Sequence, residues 1–323
     1  MRILVTGAAG FIGSHLTDAL VAQNNTVLAL DNLSFGRREF LPGDVVFMHC
    51  DLGSVDDDYL RAQVREFDPE GVFHFAAIHF IPYCMERPGA CFAANVRGTE
   101  ALMRSLEGTS ARKVIFASTL DVYDTTDRVH TENDLPRPAN VYGLSKWLGE
   151  NIVEYMTRLN HDLSAVALRF ANAFGPRETN PHFVPDLLKK IRDRSTPELR
   201  MGYLGNSRDF IYVLDIVDAA LRAYDTDTGR YSLFNVASGA STHVRKVAEL
   251  ALQLTGDTRP LIEDPERFRK FDRVTLSADT TQLRKVTGWA PKWSLETGLK
   301  ALLAAEGLIE PRDRACARVL LQS

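Results

Sequence analysis

Thr6-Gly7-Ala8-Ala9-Gly10-Phe11-Ile12-Gly13 is the stretch that decides the fold. The short apolar run Arg2–Val5 before it reads as a buried strand, and Ile12–Ala22 after it has helical apolar spacing. A glycine-rich turn in that context suits a dinucleotide. Glycine permits the tight turn and the close approach of backbone to a pyrophosphate, and the helix start offers free N–H groups at a positive dipole end. The spacing is G-x-x-G-x-x-G, one residue longer at the first gap than the commoner fingerprint. A close helix–strand contact would use the same glycines, so the turn needs company. Asp31 supplies it, 18 positions after Gly13 at the end of the second strand. A carboxylate there can accept both ribose hydroxyls of an adenosine and repel a 2′-phosphate, which favours NAD. Arg37 and Arg38 nearby leave NADP open.

Outward from the turn, strand-like and helix-like segments alternate. Thr26–Leu30, Val45–His49, Val72–Phe75, Lys113–Ala117 and Ala165–Phe170 read as strands, while Phe92–Leu106 and Val141–Leu159 have helical spacing. Such alternation predicts an α/β fold, a doubly wound parallel (Rossmann) sheet covered by helices on both faces. After Gly175 the character changes, with prolines at 176, 181, 185 and 197. Ile211–Tyr224 and Val244–Leu254 then return to helical spacing, and Leu233–Val236 reads as one more strand. The expected organisation is a dinucleotide-binding domain, 1–174 plus about 213–239, and a smaller C-terminal α/β substrate-binding domain, 175–212 plus 240–323.

Composition narrows the class. The chain has 323 residues, 45% hydrophobic and 25% charged, with a formal net charge of −4, the proportions of a soluble globular protein. No run of eighteen apolar residues suggests a membrane span, and mild acidity offers no electrostatic footprint for nucleic acid. The apolar run after Arg2 is broken by glycines, unlike a signal peptide, and a cytoplasmic location is expected. Cys50, Cys84, Cys91 and Cys316 form no C-x-x-C pair, so they are expected as buried small hydrophobes and no metal site is expected.

Tyr142-Gly143-Leu144-Ser145-Lys146 places a phenol and an amine at i and i+4 on one helix face. A cationic lysine beside a tyrosine favours the phenolate. A phenolate can remove a hydroxyl proton while hydride leaves the same carbon for a nicotinamide. The pattern is common on helices, and it gains weight from the dinucleotide turn upstream.

These residues bring a resemblance into view. The chain is similar to the NAD-dependent nucleotide-sugar epimerase/dehydratase family of extended short-chain dehydrogenase/reductases. The likeness runs from Arg2 to about Leu302. It rests on TGAAGFIGSHL, DNLSFG at Asp31–Gly36, HFAA at His74–Ala77, NVRGT at Asn95–Thr99, YGLSK, LRFANAFGP at Leu168–Pro176, RDFIYVLD at Arg208–Asp215 and TGW at Thr287–Trp289. The pattern is nearest to that of the UDP-hexose 4-epimerases. The resemblance implies Tyr142 as base and acid, Lys146 as its electrostatic partner and nicotinamide-ribose ligand, and Thr119 as hydrogen-bond partner of the reacting oxygen. It implies NAD contacts at Gly7, Gly10, Phe11, Ile12, Gly13, Asp31, Asn32, Asp51, Leu52, Phe75, Ala76, Ala77, His79, Asn95 and Phe170. A nucleotide-diphosphate sugar would meet Asn172, His182, Phe183, Arg208, Arg269 and Asp272, a guanidinium suiting phosphate through its rigid fork of donors. The usual R-x-G-D becomes Arg269-Lys270-Phe271-Asp272, a departure from the pattern.

The fate of the 4-keto sugar left by the shared first oxidation at C4 decides the reaction. Asp121, in Ser118-Thr119-Leu120-Asp121-Val122-Tyr123, stands where many 4-epimerases have Ser, Ala or Thr and where dehydratases and decarboxylases often have Glu. It would serve as an additional acid/base, a sugar hydroxyl ligand or a local backbone partner. Leu120 and Asp124 both depart from the dehydratase pattern. A UDP-linked hexose 4-epimerase is the leading expectation. A 4,6- or 5,6-dehydratase or a decarboxylase is the alternative, and a noncatalytic NAD-binding sensor is the alternative of another class. The resemblance also implies a homodimer through Phe92–Leu106 and Val141–Leu159.

Overall fold

A computed structural model describes residues 1–267 and 275–310. The central sheet contains β1 (Arg2–Thr6), β2 (Thr26–Asp31), β3 (Val46–His49), β4 (Gly71–His74), β5 (Lys113–Thr119), β7 (Ser164–Phe170) and β11 (Tyr231–Val236). Every pairing is parallel, in the order β11-β7-β5-β4-β1-β2-β3. The strands are near-continuous Val, Ile, Leu, Phe and Ala because both faces are covered. Leu4, Val5, Val72, Phe73, Val114 and Ile115 are all wholly buried.

Helices α1 (Phe11–Ala22) and α8 (Val213–Asp225) cover one face, burying Leu16, Leu20, Ile216 and Ala220 against Ile3, Phe73 and Ile115. Helices α2 (Asp57–Phe67), α5 (Gly98–Ser105) and α6 (Val141–Leu159) cover the other, with Leu60, Val64, Leu102 and Val153 packed against Leu4, Val72 and Phe116. The strand order reverses at β1: the chain steps outward to β2 and β3, then returns to β4 on the opposite side. Ligands in such sheets bind at the carboxyl ends of the strands beside that switch point. The turn after β1 lies there.

A separate apolar cluster joins α7 (Phe183–Arg192), α9 (Val244–Thr255) and α11 (Leu295–Ala305), with Leu187, Ile191, Val247, Ala251, Leu299 and Leu302 at its centre. The strands β8 (Asn172–Phe174), β10 (Ser207–Tyr212) and β12 (Ser241–His243) form a three-stranded sheet in the order β12-β10-β8. Shorter pairs complete the described fold. They join β9 (Leu199–Met201) to β13 (Leu261–Glu263), and β6 (Val129–His130) to β14 (Ser277–Ala278). Two further helices, α3 (Ile81–Glu86) and α4 (Pro88–Phe92), follow β4, and α10 (Thr281–Thr287) precedes α11.

Two expected helices are corrected. Phe92–Leu106 is not one α-helix: α4 ends at Phe92, a π-helical turn spans Ala93–Arg97, and α5 runs Gly98–Ser105. The wider π turn has Asn95 at its centre, and that residue is wholly buried. Ile211 and Tyr212 likewise end β10 before α8 begins at Val213, because Phe210–Tyr212 pair with Asn172–Phe174. Cys50, Cys84 and Cys91 are buried free thiols, as expected, and Cys316 lies outside the described residues. No described helix is long and apolar enough to cross a membrane.

Candidate active site

The turn after β1 is built by close approaches. Gly7 takes φ +67°, and a Cβ there would lie 2.6 Å from the Ala76 backbone nitrogen. A Cβ on Gly13 would lie 2.0 Å from the Gly7 carbonyl oxygen. Only glycine lets α1 start this close to the sheet edge. Gly10 precedes α1 with no side-chain cap, so the first N–H groups of the helix remain available to an anion. Phe11 is buried and Ile12 half-buried behind the turn.

Asp31 ends β2 and accepts from the backbone N–H of Ala9 (2.9 Å) and of Leu33 (2.8 Å). Burial pushes its carboxyl up, and these donors oppose that rise. Asn32 follows, accepting from the Ser34 N–H at 3.0 Å. Asp51 is exposed and turns the chain by accepting from the Gly53 N–H at 3.0 Å, while Leu52 is buried in the core. After β4, Phe75, Ala76, Ala77 and His79 are half-buried along the cleft. The Phe75 ring lies 5.8 Å from Phe170 at the end of β7. Asn95 fastens this loop, accepting from the Ile78 N–H (2.7 Å) and donating to the Ile78 carbonyl (2.9 Å) and Ser145 Oγ (2.9 Å).

Thr119 is the last residue of β5, and Tyr142 and Lys146 stand in the first turns of α6. Asn140 caps α6 by accepting from the Gly143 N–H at 2.8 Å. A Cβ on Gly143 would meet the Asp121 carbonyl oxygen at 2.2 Å, so glycine brings this helix onto the turn after β5. The Tyr142 and Thr119 hydroxyls are thereby hydrogen-bonded. Burial pushes the Tyr142 phenol well up, the Asp121 carboxylate adds to that, and the Thr119 hydrogen bond opposes it.

Lys146 is 1% exposed, and its Nζ has no hydrogen-bond partner among the described residues. The amine sits 4.2 Å above the Phe116 ring, and burial lowers its pKa to about 7 against the raising influence of Glu150. A buried amine without a partner is unfavourable unless something else supplies acceptors. The ribose hydroxyls of a dinucleotide are acceptors of the right kind, so the residues present fit NAD.

Asp121 is held by its own surroundings. It accepts from Asn140 Nδ2 (3.3 Å) and lies 3.5 Å from Thr119 Oγ1, and its backbone N–H donates to Thr119 Oγ1 (3.2 Å).

The whole cleft encloses about 1700 Å³ and runs from Gly7 to Arg208. A pocket for one small ligand is roughly 300–1,000 Å³, so this cleft has room for a dinucleotide and a second ligand together. Asn172, His182, Phe183 and Arg208 line its far half. Arg208 lies on β10, its Nη1 donating to the Ser207 carbonyl at 2.8 Å. The next residue, Asp209, is buried and accepts from the backbone N–H of Ser238 and of Gly239, both at 2.8 Å, which anchors the strand that carries the guanidinium. Arg269 and Asp272 lie outside the described residues.

Sequence reasoning missed Asn140, Asp209 and Glu178. An Asn just before a helical run is a readable cap signal. Asp209 and Glu178 gain their roles from partners distant in the chain.

A model of the NAD dependent epimerase/dehydratase family matches residues 3–237. A UDP-glucose 4-epimerase of Mycolicibacterium smegmatis is 34% identical over 311 residues, 93% of this chain and 96% of that protein. The crystal structure of UDP-glucose 4-epimerase with UDP-glucose from Thermotoga maritima superposes with a TM-score of 0.86 at 31% identity, covering 94% of this chain and 97% of that one. The Thermus thermophilus UDP-glucose 4-epimerase complex with NAD gives a TM-score of 0.82 at 30% identity, covering 93% and 96%.

Proposed function

The chain belongs to the NAD dependent epimerase/dehydratase family, and we propose that it interconverts the C4 epimers of a UDP-hexose through a transient 4-keto sugar. The carrying observation is the convergence of Thr119, Tyr142 and the unpartnered Lys146 amine in one cleft beside the glycine turn. Similarity to UDP-glucose 4-epimerases along nearly the whole chain supports the same reading.

NAD, when bound, supplies a hydride acceptor and donor and places a positive charge in the site. Tyr142 takes the proton of the sugar 4-hydroxyl and later returns it. The pushed-up phenol needs positive charge beside it to become a base, and a protonated Lys146 on the same face of α6 provides some of it. Lys146 also donates to ribose hydroxyls and fixes the cofactor. Thr119 hydrogen-bonds Tyr142 and thereby holds the phenol toward the reacting oxygen. Asp31 accepts the adenosine ribose hydroxyls, and Gly7, Gly10 and Gly13 leave room for the pyrophosphate. Arg208 pairs with the substrate diphosphate. With the cofactor bound, the ketosugar would have to turn over in the cleft so that the hydride taken from C4 could be returned to its other face.

The alternative dehydratase or decarboxylase chemistry needs a further acid. Asp121 is the candidate, and its contacts to Asn140 and Thr119 favour a local structural role instead. A sensor would have no use for all three of Thr119, Tyr142 and Lys146.

The cofactor part is read as residues 1–174 plus about 213–239, and the sugar-nucleotide part as the remainder, centred on the apolar cluster around α7, α9 and α11, which also takes in Phe11, Phe174 and Val213 of the cofactor part. A homodimer through the α4–α5 and α6 face is supported by an apolar groove there, lined by Phe92, Val96, Leu148 and Ile152.

Tyr142→Phe tests the reaction. It should keep NAD and UDP binding and lose turnover of UDP-glucose by about 10²–10⁴-fold, the usual contribution of a positioned acid/base. Undiminished turnover would remove Tyr142 from the chemistry.

A further inference from the structure

His79, Glu178 and His182 come together at the middle of the cleft, from two different parts of the chain. One donor atom from each lies within 4.8 Å of the others. His182 Nδ1 is 3.5 Å from Glu178 Oε2, and His79 Nε2 is 3.8 Å from Glu178 Oε1. We propose that these three side chains form a binding site for a zinc-class divalent transition metal, bridging the loop after β4 to the segment before α7.

Four observations carry the proposal. The first is donor chemistry: two imidazoles and one carboxylate are the set that holds zinc with a fourth position left open. The second is spacing. A tetrahedral ion with bonds of about 2.0–2.1 Å sets its donors about 3.3–3.4 Å apart. Each imidazole is already near that distance from one oxygen of the Glu178 carboxylate, His182 from Oε2 and His79 from Oε1, and side-chain rotation brings the three donors around one point.

The third is the unusual delivery of the carboxylate. Arg177 takes φ +69°, a left-handed conformation uncommon for a non-glycine residue, immediately before Glu178. The surrounding segment is fastened on both sides. Arg177 pairs with Asp18 at 2.7 Å, His15 Nε2 meets the Pro176 carbonyl at 3.1 Å, and Thr179 Oγ1 donates to the Phe35 carbonyl at 2.7 Å. Glu178 is thus turned inward with its side chain 6% exposed. Such a buried carboxylate requires a positive partner, and its ion pairs among the described residues are with the two imidazoles.

The fourth is support and access. The Asn180 N–H donates to Glu178 Oε1 at 3.3 Å, an outer hydrogen bond of the kind that orients a ligating carboxylate. All three donors line the cleft, so the open coordination position faces the ligands bound there. Asn180 Nδ2 now lies 3.2 Å from His79 Nε2 and must turn away as the ion enters. The proposal stands apart from the identity of the sugar and from the reaction.

The experiment uses the full chain with its cofactor, cleared of metal by a chelator and titrated with cobalt(II), then with zinc. We expect one cobalt per chain with the visible absorption of a four-coordinate site, displaced by one equivalent of zinc. X-ray absorption of the zinc form should show scattering from two imidazoles. His182→Gln and Glu178→Gln should each weaken binding by at least about 10–100-fold, the loss that removal of even an outer partner brings. His182→Cys keeps a ligand, so it should retain binding and add a thiolate-to-cobalt charge-transfer band. Absence of stoichiometric cobalt in the wild type, a six-coordinate spectrum, or unchanged affinity in His182→Gln would overturn the site.

Discussion

Replacing Lys146 by methionine should make the cofactor-free protein more stable while disabling it. Lys146 is 1% exposed and its amine has no hydrogen-bond partner among the described residues, so the folded chain holds it at a disadvantage. Burial lowers its pKa from 10.5 to about 7. The unfolded chain therefore binds more protons than the folded one between those values, and stability rises with pH across the window. Below about pH 7 the full penalty is present; above pH 10.5 it is gone. A tenfold change in proton affinity corresponds to about 1.4 kcal/mol, so at neutral pH the amine costs on the order of 4 kcal/mol. Methionine keeps the length and the contact with Phe116 and removes the charge. His74, Cys91 and Glu150 also face this amine, and the Lys146 charge lowers the pKa of His74 and of Cys91, so the comparison reads Lys146 together with its coupling to these two groups. The assay is urea unfolding of cofactor-free wild type and Lys146→Met from pH 7 to 10. The variant should be more stable at pH 7, the gap should close toward pH 10, and the variant should bind NAD weakly and turn over no UDP-glucose. A gap that stays constant with pH, or a variant less stable at pH 7, would refute the assignment of an unpaired amine awaiting its ligand.

Other perturbations probe separate contacts. Gly13→Ala places a Cβ 2.0 Å from the Gly7 carbonyl oxygen. It should cost about 1–3 kcal/mol or more in thermal unfolding and strip NAD from the purified protein. Arg169→Met removes the guanidinium that holds Glu150 bidentately at 2.8 and 2.7 Å, where the two side chains are 3% and 5% exposed. The stranded carboxylate should lower stability by about 3–5 kcal/mol in urea titration. Asp121→Asn keeps an acceptor for Asn140 and should change epimerase turnover less than about tenfold. Complete loss, with a 4-keto-6-deoxy product from the wild type by NMR, would instead establish a dehydratase.

Much of the dinucleotide half is legible in the sequence because its signals are local. Buried parallel strands are apolar runs, and the turn at Gly7–Gly13 states its geometry in the spacing of its glycines. Tyr142 and Lys146 are four residues apart on a helix that the apolar pattern marks by itself. Helix α2 escapes notice because only Leu60 and Val64 are buried in it, and the rest of DDYLRAQVREF faces outward or lies at the edge. The Phe92–Leu106 run cannot announce its π turn, since the apolar spacing on either side is helical.

The far half of the cleft is harder to read for a physical reason rather than a weak pattern. Its side chains are placed by contacts between segments that the sequence separates widely. Arg177, which turns Glu178 inward, is held by Asp18 and by the Phe40 carbonyl, 159 and 137 positions away. Asp209, which anchors the strand bearing Arg208, closes on N–H groups 29 and 30 positions later. From its own loop His79 reads as a cofactor contact, and from its own helix start His182 reads as a nucleotide contact. Each reading treats one residue beside one ligand. Brought together around a carboxylate, the two imidazoles become a single electrostatic unit, and an ion shared among them would couple the cofactor loop to the substrate lobe. That coupling is a consequence of the fold, because the loop after β4 delivers His79 while the pinned segment before α7 delivers Glu178 and His182.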